Sequence, residues 1–350
     1  ENLVQILSIS PLTTKVIRPG LQNTNHMRFV SLHGTVYYTD GQYNGVIEAG
    51  TGRYWGIDIP VGFSQTPVDG GLKAGKYQIA MTFRYGGQES GATMPVTITV
   101  GADSGILIAN IPNISNTNAD AVSIYMSGCN GTELYYLVSL PFGVRQFTIA
   151  SSDTLGHQLP TQFLYPPPAG SLLAFFGGRI YVADSNVLYY SQPFGFDLFH
   201  QNSFLQFPAR ITAIMPMSQG MYIGTKEKVY HLIGLSPEPQ PMQVLEVFPY
   251  GIVEGTETLV SMKHLGGETI WTWMSTHGVC TGNDQGLVAN ITESRYSVQS
   301  ANVGSGMILD WQGFISYIAC LSNQDVPEYS VYKRDGIGQV TLPALQTILF

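Results

Sequence analysis

The chain has 350 residues, of which 11% are charged, and a formal net charge of −8 from 16 Lys and Arg against 24 Asp and Glu. The charged fraction is well below the usual quarter and there is no basic run, which argues against tight, sequence-reading recognition of nucleic acid. No run of about 18 apolar residues is present to cross a bilayer as a helix, so stable membrane insertion is not expected.

Glycine (39), proline (20), tyrosine (20) and phenylalanine (16) are plentiful instead, the balance of a turn-rich all-β protein. A low-charge, Tyr-rich chain fits a surface covered by sister subunits or partners, and equally fits a monomer with an uncharged polar surface. The first 30 residues show no basic-then-apolar signal pattern. Cys129, Cys280 and Cys320 are odd in number and far apart, so neither a disulfide framework nor a zinc site is indicated.

In chain order, the first strand figure is FVSLHGTVYYTD (29–40), two short strands around a tight turn. From Gly71 to about Ala150 the pattern changes. GKYQIAMTFRY places Tyr77, Ile79, Met81, Phe83 and Tyr85 on one face, PVTITV follows a turn-rich stretch, and ELYYLVSL alternates through Leu134, Tyr136, Val138 and Leu140. About 80 residues of short alternating strands predict an inserted Ig-like or fibronectin type III-like sandwich. PTQFLYPPPAG (160–170) reads as the return linker, because successive prolines forbid regular pairing.

The strongest pattern follows. Without gaps and at an offset of 41, SLLAFFGGRIYVADSNVLYYS (171–191) falls on TAIMPMSQGMYIGTKEKVYHL (212–232), matching Ile180 with Met221, Tyr181 with Tyr222, Leu188 with Val229 and Tyr189 with Tyr230. In the first figure Val36, Tyr37 and Tyr38 take the places of Ile180, Tyr181 and Val182. Later copies are TLVSMKHLGGETIWTWMSTHGVCTG (258–282) and MILDWQGFISYIACL (307–321), spaced about 41 to 49 residues apart, the period of a four-stranded propeller blade. A small twisted sheet exposes two apolar faces that neighbouring sheets must cover. A plain β-sandwich with chance similarity between hairpins is the competing reading. The proline-rich LSPEPQPMQV (235–244) reads as a loop between blades.

Catalytic motifs are missing: there is no GxSxG, GxxxxGK[ST], HExxH or GxGxxG. Histidines at 26, 33, 157, 200, 231, 264 and 277 show no metal-ligating spacing. Asp40, Asp184, Glu227, Asp284 and Asp310 lie near strand ends, as the carboxylates of a propeller glycosidase would. All but Asp310 sit in turn sequences (TDGQ, ADSN, KEK, NDQG), where such residues satisfy local backbone groups. Calcium loops at Asp184-Ser-Asn186 or Asn283-Asp284-Gln285 are short of ligands, and the sequons at Asn113, Asn130 and Asn290 lack a secretory signal. The aromatic pairs Tyr37-Tyr38, Tyr54-Trp55, Tyr135-Tyr136, Tyr189-Tyr190 and Trp271-Thr-Trp273 suit inter-sheet packing better than sugar stacking. No catalytic, cofactor-binding or metal-binding residue is therefore assigned, and no enzymatic activity is expected.

LLAFFGGRIYVADSNVLYYSQPFGFDLFHQNSFLQFPARITAIMPMSQGMYIGTKEKVYHLIG (172–234) resembles the propeller repeat of the tail nozzle proteins, or tail tubular proteins B, of short-tailed bacteriophages and of the related tail stabilisation proteins. The shared figure is a strand, G-x-[IL]-Y, a short turn, LYYS, a P-x-x-x-D-x-F link and [MLF]-[YF]-[IV]-G-T. The segment LKAGKYQIAMTFRYGGQESGAT with VSIYMSGCNGTELYYLVSL likewise resembles the fibronectin-like module that interrupts such propellers. Together the likeness spans about 200 residues of the chain.

The resemblance implies a virion structural protein, assembled in the host cytoplasm. Six copies would ring the genome-ejection channel, pass DNA transiently, and offer docking surfaces to adaptor, fibre or spike proteins. The expected architecture is an all-β, β-propeller-like array of blades carrying an inserted Ig-like or fibronectin type III-like sandwich. Its expected divisions are 1–70 (first part of the propeller), 71–150 (insert), 151–170 (return linker) and 171–350 (remaining blades). A carbohydrate-binding or carbohydrate-cleaving β-propeller is the alternative, motivated by the aromatics and the strand-end acids.

Overall fold

Glycine and proline interrupt most windows before a helix of several turns can form, and β-branched and aromatic residues are frequent between them. A computed structural model of the chain describes residues 2–21, 26–113, 119–152, 154–234, 242–261, 267–292, 301–311, 314–322 and 346–349. Among these residues every regular element is a strand, and every pairing between named strands is antiparallel.

The chain opens with a hairpin, β1 (Leu3–Ile9) and β2 (Leu12–Arg18), that forms its own two-stranded sheet. The first blade follows as a four-stranded meander: β3 (Arg28–Leu32), β4 (Thr35–Thr39), β5 (Asn44–Glu48) and β6 (Thr51–Arg53).

Eight strands then build a two-sheet unit: β7 (Ser64–Leu72), β8 (Gly75–Tyr85), β9 (Gln88–Glu89), β10 (Val96–Val100), β11 (Ser104–Ala109), β12 (Ala121–Ser127), β13 (Leu134–Pro141) and β14 (Gln146–Ile149). One sheet runs β10-β8-β12-β13 with β9 on β8; the other runs β14-β11-β7. Tyr77, Ile79, Met81 and Phe83 of β8 meet Ile106 and Ile108 of β11 and Ile149 of β14 in one core, as the alternation predicts.

Two expectations fail inside this unit. It begins at Ser64, seven residues before Gly71, because β7 pairs along β11 from Ser64 to Asp69. The expected single face of Leu134, Tyr136, Val138 and Leu140 is also split. Ile124 pairs with Val138 but Tyr125 pairs with Tyr136, so Leu137 is the extra residue of a bulge. Past the bulge the faces exchange, and Leu134 and Tyr136 join Tyr125 in a second cluster on the other side of the sheet.

The return segment covers that side. Residues 151–170 are not an unpaired linker throughout: Gly156 N donates to Tyr136 O, Tyr136 N to His157 O and Leu159 N to Leu134 O, which caps the edge of β13. His157 stacks on Tyr136 with ring centroids 5.3 Å apart. The three prolines occupy only 166–168; just before them β15 (Leu164–Tyr165) pairs with a short strand further along the chain.

The second blade is β16 (Leu172–Phe176), β17 (Arg179–Asp184), β18 (Val187–Tyr190) and, after the short β19 (Phe199–His200) that pairs with β15, β20 (Phe204–Gln206). The third is β21 (Ile211–Pro216), β22 (Met221–Thr225), β23 (Val229–Ile233) and β24 (Gln243–Phe248); the fourth is β25 (Thr258–Ser261), β26 (Thr269–Ser275), β27 (Gly278–Gly282) and β28 (Val288–Asn290). The fifth has three described strands, β29 (Val303–Trp311), β30 (Phe314–Ser322) and β31 (Gln346–Leu349). Residues 235–241 of the proline-rich stretch, His264, and residues 312–313 and 323–345 lie outside the described residues.

The offset of 41 is visible in the pairing. Leu173 opposes Val182 as Ile214 opposes Ile223, and Val182 opposes Tyr189 as Ile223 opposes Tyr230. Tyr37, Tyr181 and Tyr222 hold the same position of the second strand in three successive blades, and all three are buried.

Four apolar seams join the five sheets in chain order. Tyr37 and Val46 meet Ile180 and Val182; Tyr181 and Leu188 meet Ile211 and Ile214; Met215 and Tyr222 meet Trp273 and Cys280; Met274 and Val279 meet Tyr317 and Ala319. The architecture is a propeller-like array of antiparallel sheets, interrupted between its first and second blades by the two-sheet unit. The division 1–70 needs correction at both ends, since β1–β2 pair with no blade and β7 belongs to the insert.

Candidate assembly surfaces

The strand-end acids lie in separate blades. Asp40, Asp184, Thr225 and Ser275 hold one position, the residue just before the two-residue turn between second and third strands. Asp40 Oδ1 accepts from Gln42 N and Tyr43 N, Thr225 Oγ1 from Glu227 N and Lys228 N, and Ser275 Oγ from His277 N. The repeat therefore preserves a side-chain oxygen that closes a turn. Glu227 sits inside the third blade's turn, and Asp310 is exposed near the end of β29.

Asp284 bridges two blades. Its Oδ1 accepts from Ser218 N (2.8 Å) and Gln219 N (3.1 Å), and Ser218 Oγ donates to Oδ2. Burial works against ionisation, but these bonds outweigh it and hold the carboxyl below its ordinary value of 3.8. Asn283 Oδ1 accepts from Gln285 N and Leu287 N, so that candidate's amide oxygen is spent on turn bonds, while Asn186 Nδ2 donates to Phe207 O. Among the described residues no three His, Cys, Asp or Glu converge as metal ligands.

His231 is buried against the Tyr222 ring, and desolvation lowers its pKa. His33, His157 and His277 are exposed, and His277 stacks on Tyr250. Cys280 is buried, Cys129 and Cys320 are half-buried, and no disulfide is formed among the described residues.

The aromatic pairs pack. Tyr37, Tyr38, Trp55 and Trp273 are buried, and Trp271 Nε1 donates to Pro216 O. Tyr222 donates to Asn283 O in the next blade. Tyr54 stays exposed, beside Arg18.

Two ion pairs hold blades that are distant in sequence. Arg53 of β6 reaches Asp197 at 3.3 Å, with both side chains nearly buried beside Tyr37. Burial, then the nearby Asp197 carboxylate, pushes the Tyr37 hydroxyl up to about 12. Asp197 is itself raised by desolvation, against the pull of Arg53. Arg28 of β3 faces Glu257, just before β25, at 4.0 Å, and burial raises that carboxyl too.

The least expected surface is the β1–β2 hairpin, whose signal in the sequence is the alternation LVQILSI and LTTKVIR around Ser10-Pro11. Val4 pairs with Val16, Ile6 with Thr14 and Ile9 with Leu12 on one face; Gln5 pairs with Lys15 and Ser8 with Thr13 on the other. A register shift at Leu7 makes this possible, since in a regular strand Ile6 and Ile9, three residues apart, would point opposite ways.

The polar face is turned toward the chain's own body. Lys15 Nζ donates to Gly50 O (2.6 Å), and Ile17 lies so close to Gly52 that a Cβ there would meet its carbonyl oxygen at 2.7 Å. Arg18 fixes the base: Nη1 donates to Asn44 O (2.6 Å), while the guanidinium lies over Tyr43 and Tyr54 at 5.2 and 5.5 Å. Ile17 and Arg18 on one side and Tyr43, Gly52 and Tyr54 on the other wall a cleft of about 340 Å³ between hairpin and first blade. The apolar face is left to solvent.

No family model matches the sequence, and no curated protein matches it. Among solved structures, the chain is similar to one in a crystal structure of BBS1N in complex with ARL6DN, at 10% identity, 85% coverage of this chain, 89% of that chain and a TM-score of 0.33. A likeness at that level carries no argument, and the propeller-like array stands on the strand pairing and the four seams alone.

Proposed function

We propose that the chain is a structural protein of a short-tailed phage virion, a tail nozzle or hub component that rings the genome-ejection channel and docks adaptor, fibre or spike proteins. The observation that carries this reading is the order of modules. A first blade, a two-sheet insert and then further blades at a 41-residue offset match the resemblance carried by 172–234 and by the insert.

The insert is read as immunoglobulin- or fibronectin-like because β8, β12 and β13 take the order of strands C, F and G, and β7 and β11 neighbour each other as B and E do. It departs from that plan at β14, which lies on the far side of β11. A net charge of −8 suits a conduit from which DNA must slide free, since focused cations would form phosphate pairs.

Electron microscopy of purified protein and of virions tests the proposal. The expected result is a closed ring on the tail axis, with six copies as the resemblance implies. A monomer absent from that axis sinks it. Among the aromatics that motivate the carbohydrate reading, Trp273 is fully buried and Trp271 Nε1 donates to Pro216 O, while Tyr54 is exposed.

A further inference from the structure

We propose that the β1–β2 hairpin is an assembly arm whose apolar face docks on a second copy of this chain; the choice of occupant rests on the ring reading above.

Unlike a blade sheet, whose apolar faces are covered by its neighbours, the hairpin leaves its apolar face to solvent, while Lys15 on the other face bonds to the first blade. Val4, Ile6, Ile9, Leu12 and Val16 on that face are 43%, 60%, 85%, 68% and 51% exposed. Together they present roughly 550 Å², at the upper end for the largest apolar patch of a monomer. Doubled across a contact, that area reaches the roughly 1,000 Å² a specific interface needs. An isolated two-stranded hairpin is marginally stable in water, yet this one is clamped at its base by Arg18 and Lys15. It is held ready, which lowers the ordering cost of docking.

Apolar area and topology point to a copy of the same chain. The arm leaves the first blade, while β25 of the fourth blade and β29 of the fifth expose Leu259 (47%), Met307 (53%) and Leu309 (41%). Among the described residues no apolar seam joins the fifth blade to the first. A contact from the first-blade end of one copy to the fifth-blade end of the next is head-to-tail, the kind that closes rings.

The test uses the full chain with Ile9→Asp and Leu12→Asp together, at the two most exposed positions of the arm's apolar face, so folding is spared and the thermal melt stays unchanged. Mass photometry is expected to show an oligomer for the parent chain and association weakened roughly tenfold or more for the double variant. In a second measurement, a photoreactive residue at position 12 of the parent chain is expected to cross-link to β25 or β29 of another copy. A monomeric parent chain, undiminished assembly of the double variant, or cross-links confined to the same chain would each overturn the proposal. Closed rings that persist in the double variant overturn the arm and leave the ring reading intact. Arm-dependent dimers with no closed ring overturn the ring reading and leave the arm standing.

Discussion

The two-sheet insert gathers the apolar residues of seven strands into one core, from Tyr77 and Phe83 on β8 to Ile106 on β11 and Ile149 on β14. The blade array divides its apolar residues among four seams, each made by two neighbouring sheets. A single core makes the insert all-or-none, because any large deletion is felt by both sheets at once. Serial seams make the array local, since each blade is stabilised mainly by the one before and the one after.

Truncating the largest buried rings breaks this comparison most directly. Phe83→Ala and Trp273→Ala both empty fully buried sites and should each cost about 3–5 kcal/mol. Hydrogen exchange read by mass spectrometry should rise across the whole insert in the first variant. In the second it should rise only in the third and fourth blades. If Phe83→Ala accelerates exchange in the blades as much as in the insert, the two regions are one cooperative body and the contrast is lost.

The seam between first and second blades adds a buried charge to its apolar contacts. Arg53→Ala leaves Asp197 without its cation beside Tyr37 and should cost about 2–4 kcal/mol near neutral pH. Burial holds the Asp197 pKa above its ordinary value of 3.8, so in the window above that value the native state keeps a proton that the unfolded chain has lost. Stability from this group therefore falls as pH rises through the window. Urea midpoints measured from about pH 4 to about pH 7 should show that slope, and Asp197→Asn should flatten it. A slope unchanged in the Asn variant would assign it to another group.

Arg28 and Glu257 repeat the arrangement more weakly, at 4.0 Å and with Arg28 one-third exposed. Arg28→Ala should cost about 1–2 kcal/mol, less than the loss of Arg53. The sign of the pH effect is the same, because burial raises the Glu257 carboxyl above 4.5 and stability falls as pH climbs through the raised value. Glu257→Gln removes that fall. Equal costs for Arg28→Ala and Arg53→Ala would mean that burial does not rank the two pairs.

The blades were legible because a seam recurs. Tyr37, Tyr181 and Tyr222 occupy one register position, and a repeated environment leaves a repeated residue. The insert's core was legible through the alternation of β8. What escaped were single extra residues. The bulge at Leu137 moves Tyr136 to the opposite face, and the shift at Leu7 gathers Ile6 and Ile9 on one face, and neither leaves a compositional mark. The return segment escaped for a different reason. Its prolines at 166–168 mask the pairing capacity of Gly156 to Leu159, which only the open edge of β13 calls upon. Asp284 was placed correctly in a turn, but its partners Ser218 and Gln219 are more than sixty residues away and no local pattern points to them.

Those partners give the smallest and most selective perturbation of the third seam. Ser218→Ala removes one of the hydrogen bonds to the Asp284 carboxylate and keeps the backbone bonds from Ser218 and Gln219. Because the carboxylate is partly open to solvent, the cost near neutral pH should be only about 0.5–1 kcal/mol. The Asp284 pKa lies below 3.8 in the native chain, so its contribution is present above that value and is lost as pH falls through the native pKa. Parent and variant denaturation midpoints should therefore differ at neutral pH and converge in acid, whereas the Trp273→Ala deficit persists at every pH because it is a packing loss. A Ser218→Ala deficit that also persists in acid would show that Ser218 acts through packing, and the third seam would then be apolar out to its rim.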